Sequence, residues 1–432
     1  MSQFHLGWFL SFRPPVWNNP YSDGPEGADW TDGQFYVDMA RALERAGFDY
    51  MMFEDSSMVS DIYAGTHEAD LKHSLYAPKH DPVLLAPLLA AATEHLGIIT
   101  TASTTFYPPF LLARAMSTLS HLSDGRIGWN MVTSSEDRAA QNYGLETLPD
   151  HDERYDRADE YVDVVKGLWN TWDPDAVVMD RETGVYVDHT KVRTLDHEGT
   201  YQSVRGPLNT LPPYSGQPVL CQAGASARGK DFAARNADTI LASAHGPAAM
   251  KAFRDDIRAR MEKFGRDPDS MKIMFIVTPI LGESEKEVRA LTELAERPDD
   301  VRVEATLGHL SSLTENDFST YDLDAIVPEV TTNGHRSTLE SFLARGQGKT
   351  LRQIASEWNL NCVDLVGTPE SVAQKMGDVM EEVGGDGFLL TGQLSRRHIS
   401  HITEGLVPAL QAKGLVRTEY TGSTLRENLM AF

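Results

Sequence analysis

The stretch Leu96–Ser134 reads LGIITTASTTFYPPFLLARAMSTLSHLSDGRIGWNMVTS. Its first part, LGIITTAST at Leu96–Thr104, is apolar and rich in β-branched residues, which suits a strand buried on both faces. After two prolines, LLARAMSTLSHLS spaces its apolar residues as one stripe of a helix. An Asp-Gly pair then leads into a second apolar strand, RIGWNMVTS at Arg126–Ser134. One strand–helix–strand unit does not define a fold, but the unit recurs along the chain.

Further strands are expected near Phe4–Ser11 and at Asp49–Asp55, Gln217–Gly224, Asp238–Ser243, Lys272–Gly282 and Asp386–Gly392. Helical patterns fall between them. FYVDMARALERAG sets Phe35, Met39, Leu43 and Ala46 on one stripe, and Gly47 ends it. Eight strands alternating with helices predict an α/β chain folded as a (β/α)8 TIM barrel, with residues 1–432 as one domain. A doubly wound open sheet is the alternative, but no G-x-G-x-x-G turn follows the first strand. Two stretches exceed an ordinary connection. Residues about 170–216, closed by NTLPPYSG, predict a small β insertion. Residues about 283–366, containing SEKEVRALTELAE and STLESFLARG, predict a partly helical one. Insertions of this kind build walls and lids of active sites.

The 432 residues carry 63 acidic against 39 basic side chains, a net charge of −24. That balance argues against nucleic acid or an anionic membrane as a partner. Cys221 and Cys362 lie in apolar runs and read as buried thiols, not as a disulfide framework. The longest apolar run, PVLLAPLLAAA, is too short to span a bilayer. MSQFHLGWFLSFRPP lacks a basic start and a small-residue cleavage site. The expectation is a soluble cytoplasmic protein.

In a barrel the chemistry sits at the C-terminal ends of the strands. Four successive strands end in hydroxyls, amides and acids: Glu54-Asp55-Ser56-Ser57, then Thr100-Thr101 with Ser103 to Thr105, then Asn130 with Thr133 to Ser135, then Gln222-Ala223-Gly224-Ala225-Ser226. One polar strand end is unremarkable because a loop follows; four in succession point to a shared polar pocket. In QAGASARGKDFAARNA, small residues allow close backbone approach. Ser226 and the following helix N-terminus suit an anion such as phosphate, with Arg228 as a further donor. An ordinary serine N-cap with an exposed arginine explains the same residues equally well.

The histidines raise a metal reading. His67, His73, His151, His398 and His401 are scattered, with no H-E-x-x-H and no paired C-x-x-C, so no metal site is expected. No G-x-S-x-G elbow supports a serine nucleophile. In HDERYDRADEYVDVVKGLW, His151–Trp169, Asp150 and Glu153 resemble a capping box. Ala158, Tyr161, Val162, Val165, Leu168 and Trp169 form a buried stripe. The acids read as a solvated face. His151 and Tyr155, four apart at a helix start, offer donors suited to a phosphate or a polar cofactor edge.

Several stretches, in the same order, resemble the two-component flavin monooxygenases of the nitrilotriacetate monooxygenase, pristinamycin synthase and dibenzothiophene-sulfone monooxygenase type, within the bacterial-luciferase-like superfamily. They are DHDERYDRADEYVDVVKGLW, GRIGWNMVTS, TEHLGIITTASTTFYPP, PVLCQAGASARGKDFAA, GTPESVAQKM and EGLVPALQAKGLVRTEYTGSTLRENL. The resemblance covers nearly the whole chain. It implies a (β/α)8 barrel that takes reduced FMN from a separate NAD(P)H:FMN reductase and O2 as co-substrate. A flavin peroxide would then oxygenate a small organic substrate, with the protein keeping water away. It further implies a homodimer or homotetramer.

By the same resemblance, Asp55, Thr101, Asn130 and Ser134 lie near the isoalloxazine. His151 and Tyr155 serve the flavin side chain and phosphate, and Ser226 with Ala223 and Gly224 forms the phosphate loop. The chain departs from the alkane-oxidising branch, which carries a histidine directly after the T-S pair; here that position is Ser135. No catalytic base carries over, and Ser135 and His80 stand as candidates. Phe9, Leu10, Phe12, Trp17, Tyr63, His80 and Phe106 are candidates to face the substrate or simply to pack. The segment FRPPVWNNPYSDGPEGADW is a candidate for the pocket mouth. The rivals are a deazaflavin-dependent oxidoreductase of the same superfamily and a metal-dependent barrel hydrolase using His67, His73 and His151.

Overall fold

The computed structural model describes residues 2–11, 30–296, 299–327 and 329–432. Eight parallel strands close into a barrel: β1 (His5–Leu10), β2 (Tyr50–Phe53), β3 (Gly97–Ser103), β4 (Ile127–Val132), β5 (Val219–Gln222), β6 (Thr239–Ala242), β7 (Lys272–Val277) and β8 (Gly387–Leu390). Each pairs with its sequence neighbours, and β1 closes the ring onto β8 with His5 opposite Gly387. The helices between them are α1 (Gln34–Ala46), α2 (Pro82–Ala92), α3 (Pro109–Leu122), α4 (His151–Trp169), α5 (Ala227–Asn236), α6 (Pro247–Lys263) and α7 (Pro369–Val383). The eighth unit is a composite of Arg396–Ser400, a π-helical turn His401–Leu406 and Val407–Ala412. The predicted (β/α)8 barrel is therefore what forms.

The strands read as continuous apolar runs because both faces are covered. Tyr50, Met52, Ile99, Val219, Cys221, Met274 and Leu389 pack together inside the barrel. Alternate residues such as Met51, Phe53, Ile98, Trp129 and Leu220 join the core shared with the helices. The lower mouth is stoppered by the terminal helix Leu425–Leu429, whose Leu425 and Leu429 enter the interior cluster. A repeated device seals the same end. Asp49, Asp238 and Asp386 each precede a strand and accept a backbone N–H of a neighbouring strand, from Leu6, Leu220 and Ile273 respectively. Each also faces an arginine: Arg417, Arg426 and Arg258.

Two insertions lie where the sequence placed them, with different uses. Between α4 and β5, Val177–Asp180 pairs with Val185–Val187 and His197–Glu198 with Ser203–Val204, both antiparallel. Between β7 and β8, helices Glu285–Glu296, Asp300–Thr314, Arg336–Arg345 and Leu351–Glu357 add a second small core around Leu307, Leu310, Phe318 and Phe342. The expected single strand Lys272–Gly282 is two: β7 stops at Val277, and Ile280–Leu281 pairs in parallel with Val366–Gly367. That short ladder pinches the two ends of the longer insertion together. Cys221 and Cys362 are free and buried. Among the described residues no helix is long and apolar enough to cross a membrane.

Candidate active site

The inward stripe of the barrel changes chemistry from bottom to top. With the period of two along a strand, Met52 is followed by Glu54, Ile99 by Thr101 and Ser103, and Cys221 by Ala223. These upper residues border a cavity of about 650 Å³. Asp55, Thr101, Asn130, Ser134, His151, Tyr155, Ala223, Gly224 and Ser226 all border it, as do Ser135, Phe9 and Phe106. The other candidates lie elsewhere. The His80 ring is packed 4.7 Å from Trp30 and 6.2 Å from Tyr36, off the cavity wall. Leu10 is core, and Tyr63 packs on the insertion's own cluster. Phe12, Trp17 and most of FRPPVWNNPYSDGPEGADW lie outside the described residues.

On the cavity floor, Asn130 Nδ2 donates to Thr101 Oγ1 at 2.8 Å, and the Thr101 hydroxyl donates to the Phe53 carbonyl. That leaves Asn130 Oδ1 buried with no partner among the described residues, an acceptor available to a ligand N–H. Burial lifts the Asp55 carboxyl to about 6, with Lys79 opposing the shift. Ser134 is held at φ 58°, a conformation stored where the strand end must turn, and its hydroxyl lies 2.8 Å from that of Ser103. The Ser135 hydroxyl and N–H both donate to the Glu136 carboxylate, at 2.7 and 3.1 Å. Glu136 is itself buried, which raises its carboxyl pKa.

At the other end stands the first turn of α4. The His151 and Tyr155 rings meet edge to face, 5.2 Å apart. A Cβ at Gly224 or at Gly229 would lie 2.8 Å from the Tyr155 hydroxyl, so only glycine lets the β5 loop and α5 come this close. Ser226 is the N-cap of α5, accepting from Gly229 N at 3.0 Å, and it borders the cavity as well. The N-cap reading of that serine is therefore realised, at a position that also faces the cavity. His151 Nδ1 lies 2.6 Å from Asp152, while burial lowers its pKa. With Nδ1 donating, Nε2 carries a proton only in the imidazolium form, which an anion here would favour.

Three expectations for this region change. Asp150 occupies the N-cap position but makes no side-chain cap; Asn333 Oδ1, from the long insertion, accepts from His151 N at 2.9 Å instead. Arg228 does not turn to the cavity. It pairs with Asp156 and Asp159 of α4, at 2.9 and 2.6 Å. Of the acids read as solvated, Asp159 and Glu160 are largely covered; Glu160 accepts from the backbone N–H groups of Thr200, Tyr201 and Gln202.

Foremost among the residues missed by sequence reasoning is Arg154. It is only 2% exposed and borders the cavity. Its guanidinium donates to the carbonyls of Pro149 at 2.7 Å and Asn333 at 2.8 Å, and its Nε has no partner among the described residues. A buried cation held by carbonyls alone is costly unless an anion completes it. Its only sequence signal was its position three residues after His151. Nearby, burial holds the His335 imidazole at about 4, so it is neutral.

The long insertion supplies the outer wall. Arg302, Ala305, Thr306, His309 and Leu313 form one face of helix Asp300–Thr314 and border the cavity. Ala305 and Leu313 pack with Phe106 against Met58, Leu75 and Ala139, an apolar patch beside the polar floor. No residue of 170–216 borders the cavity. That insertion leaves from the C-terminal end of α4 and so lies at the opposite face of the barrel. Among the described residues no three His, Cys, Asp or Glu side chains are grouped to hold a metal ion.

Known proteins share this fold. The sequence matches the family described as luciferase-like monooxygenase over residues 4–387. It is 36% identical to dibenzothiophene-sulfone monooxygenase of Rhodococcus erythropolis (strain XP), covering 99% of this chain and 96% of that protein. It is 35% identical to nitrilotriacetate monooxygenase component A of Aminobacter aminovorans, covering 92% and 90%. The crystal structure of a riboflavin lyase with modified FMN and riboflavin superposes with a TM-score of 0.89 at 30% identity, covering 100% of this chain and 96% of that one. With matches of that extent on a shared eight-stranded barrel, the chain belongs to the luciferase-like monooxygenase family.

Proposed function

We propose that this enzyme is a monooxygenase that binds reduced FMN, delivered by a separate NAD(P)H:FMN reductase, and uses O2 to oxygenate a small organic substrate. The observation that carries the reading is the end of the cavity at α4. There a buried arginine without a carboxylate partner, the Tyr155 hydroxyl packed against Gly224 and Gly229, and the Ser226 helix start border the same cavity. This donor set fits a phosphate monoester. The opposite end fits a heterocycle with an N–H: Asn130 Oδ1 is an unused acceptor, and Thr101 fixes the amide orientation. When bound, the reduced flavin supplies the electrons that activate O2. The chain's part is to orient the ring, to offer the Asp55 carboxyl, which takes up a proton as pH falls through about 6, and to exclude water along the patch of Leu75, Phe106 and Leu313. The names of two relatives support the reading: one structure holds a modified FMN, and one relative is a "component A", which fits a system with a separate partner component.

The test is an anaerobic titration of the purified chain with reduced FMN, in parallel with a reduced deazaflavin, followed by aerobic substrate screening with and without a flavin reductase. Saturable binding of reduced FMN, and oxygenation only when a reductase or chemical reductant is present, are expected. Turnover without any flavin, or preference for the deazaflavin, overturns the proposal.

A further inference from the structure

The segment 331–338, TTNGHRST, bridges the two sides of the cavity. On one side it is stitched to the end of helix Asp300–Thr314. The Thr332 hydroxyl donates to the Thr314 carbonyl at 2.6 Å, His335 N to the Leu313 carbonyl at 2.8 Å, and Asn316 Nδ2 to the Thr331 carbonyl at 3.1 Å. On the other side it grips the start of α4. Asn333 Oδ1 accepts from His151 N at 2.9 Å, the Asn333 carbonyl accepts from the Arg154 guanidinium at 2.8 Å, and Asn333 Nδ2 donates to the Pro149 carbonyl at 3.3 Å. Gly334 lies between the two sides. A Cβ there would sit 2.5 Å from the Leu313 carbonyl and 3.0 Å from the Ser135 carbonyl, so the contact is close and admits no side chain.

One exposed asparagine therefore occupies the place that a local N-cap leaves vacant, and it holds the two groups best suited to an anion. We propose that Asn333 is a positioning residue for the flavin phosphate, setting His151 and Arg154 for the anion and, through this strap, tying occupancy of that end to the placement of helix Asp300–Thr314. The helix is the wall that carries Arg302, Thr306 and His309 on the cavity. The physical basis is a continuous chain of hydrogen bonds. An anion that draws on the Arg154 guanidinium acts on the Asn333 carbonyl, and the strap passes any shift to Leu313 and Thr314. This inference rests on the phosphate reading under the proposed function.

The experiment uses the full chain with oxidised FMN and riboflavin as probes, since the two differ only in the phosphate. Wild type should bind FMN more tightly than riboflavin, and FMN should slow amide exchange over residues 301–314. Asn333→Ala should weaken FMN by ~10-fold, the loss expected for one charge-assisted hydrogen-bond arrangement, and riboflavin by less than about twofold. It should also abolish the exchange protection. Equal weakening of both probes would mark Asn333 as merely structural and overturn the proposal, as would an unchanged FMN affinity. Should the alanine variant unfold, Thr332→Val removes the hydroxyl that bonds both the Thr314 carbonyl and Gly334 N at the strap's other end. FMN affinity within about twofold of wild type is then expected, because the anion groups are untouched, with the protection of 301–314 lost. Protection that persists in Thr332→Val overturns the coupling. Wild type that binds riboflavin as well as FMN removes the phosphate reading itself.

Discussion

Arg154 shows most clearly what a single side chain owes to its surroundings. In sequence it is a cation in an acid-rich helix, indistinguishable from Arg157, which pairs with Glu153 on the surface. In the fold it is buried, carboxylate-free and directed to the cavity. Arg154→Leu should lower FMN affinity by about 2–3 kcal/mol while sparing riboflavin, read by calorimetric titration. His151→Ala or Ser226→Ala should each cost about 1–3 kcal/mol in the same assay. Unchanged FMN binding in all three would remove the phosphate assignment. Asp55 invites a pH test. Its folded-state pKa of about 6 lies above the ordinary carboxyl value, so the folded state binds this proton more tightly than the unfolded chain does. Stability is therefore lost as pH rises through that window, by about 1–3 kcal/mol. Flavin-free Asp55→Asn should melt higher than wild type at pH 8, and the gain should vanish below roughly pH 4, where both side chains are neutral. An equal Tm at pH 8 would contradict a desolvated carboxylate.

Helix α4 carries three duties on three faces. Ala158, Tyr161, Val162, Val165 and Leu168 are buried as the spacing predicts. The first turn faces the cavity. The third face holds the small hairpin, through Glu160 and the backbone N–H groups of residues 200–202. Glu160→Ala strips several backbone donors of one shared acceptor. It should cost about 1–3 kcal/mol and speed amide exchange over 197–204, leaving flavin affinity unaltered. Exchange rates equal to wild type would refute that role. The apolar stripe was legible because periodicity is a local property. The cap was not, because Asn333 lies 182 residues away and nothing in the local sequence distinguishes a helix start capped by its own aspartate from one capped across the molecule.

The whole barrel is asymmetric from end to end. Its lower mouth is closed by aspartate–arginine pairs and by the stopper of Leu425 and Leu429, while its upper mouth is left polar and open. Leu425 is fully buried among strand residues of the barrel interior. Leu425→Ala should cost about 2–5 kcal/mol, the usual loss for a core leucine that leaves a cavity. Thermal or denaturant unfolding reads the loss. A cost under about 1 kcal/mol would mean that the terminal helix does not stabilise the barrel. The stopper matches the apolar inner faces of β2 and β3 below, while Glu54, Thr101 and Ser103 above border the open cavity.

The sequence by itself determined the eight strands, the helices between them, the sites of both insertions and the polar residues at the ends of β2 to β5 that border the cavity. These follow from alternation, periodicity and the residue types at strand ends, all short-range properties that a linear reading detects. Tertiary structure alone decided which insertion walls the cavity, which arginine of α4 is buried at the cavity, what caps α4 and what closes the barrel from below. Each of those depends on groups far apart in the chain meeting under desolvation. A charge near a carbonyl, a carboxylate or nothing reads the same in one dimension and differs by kilocalories in three.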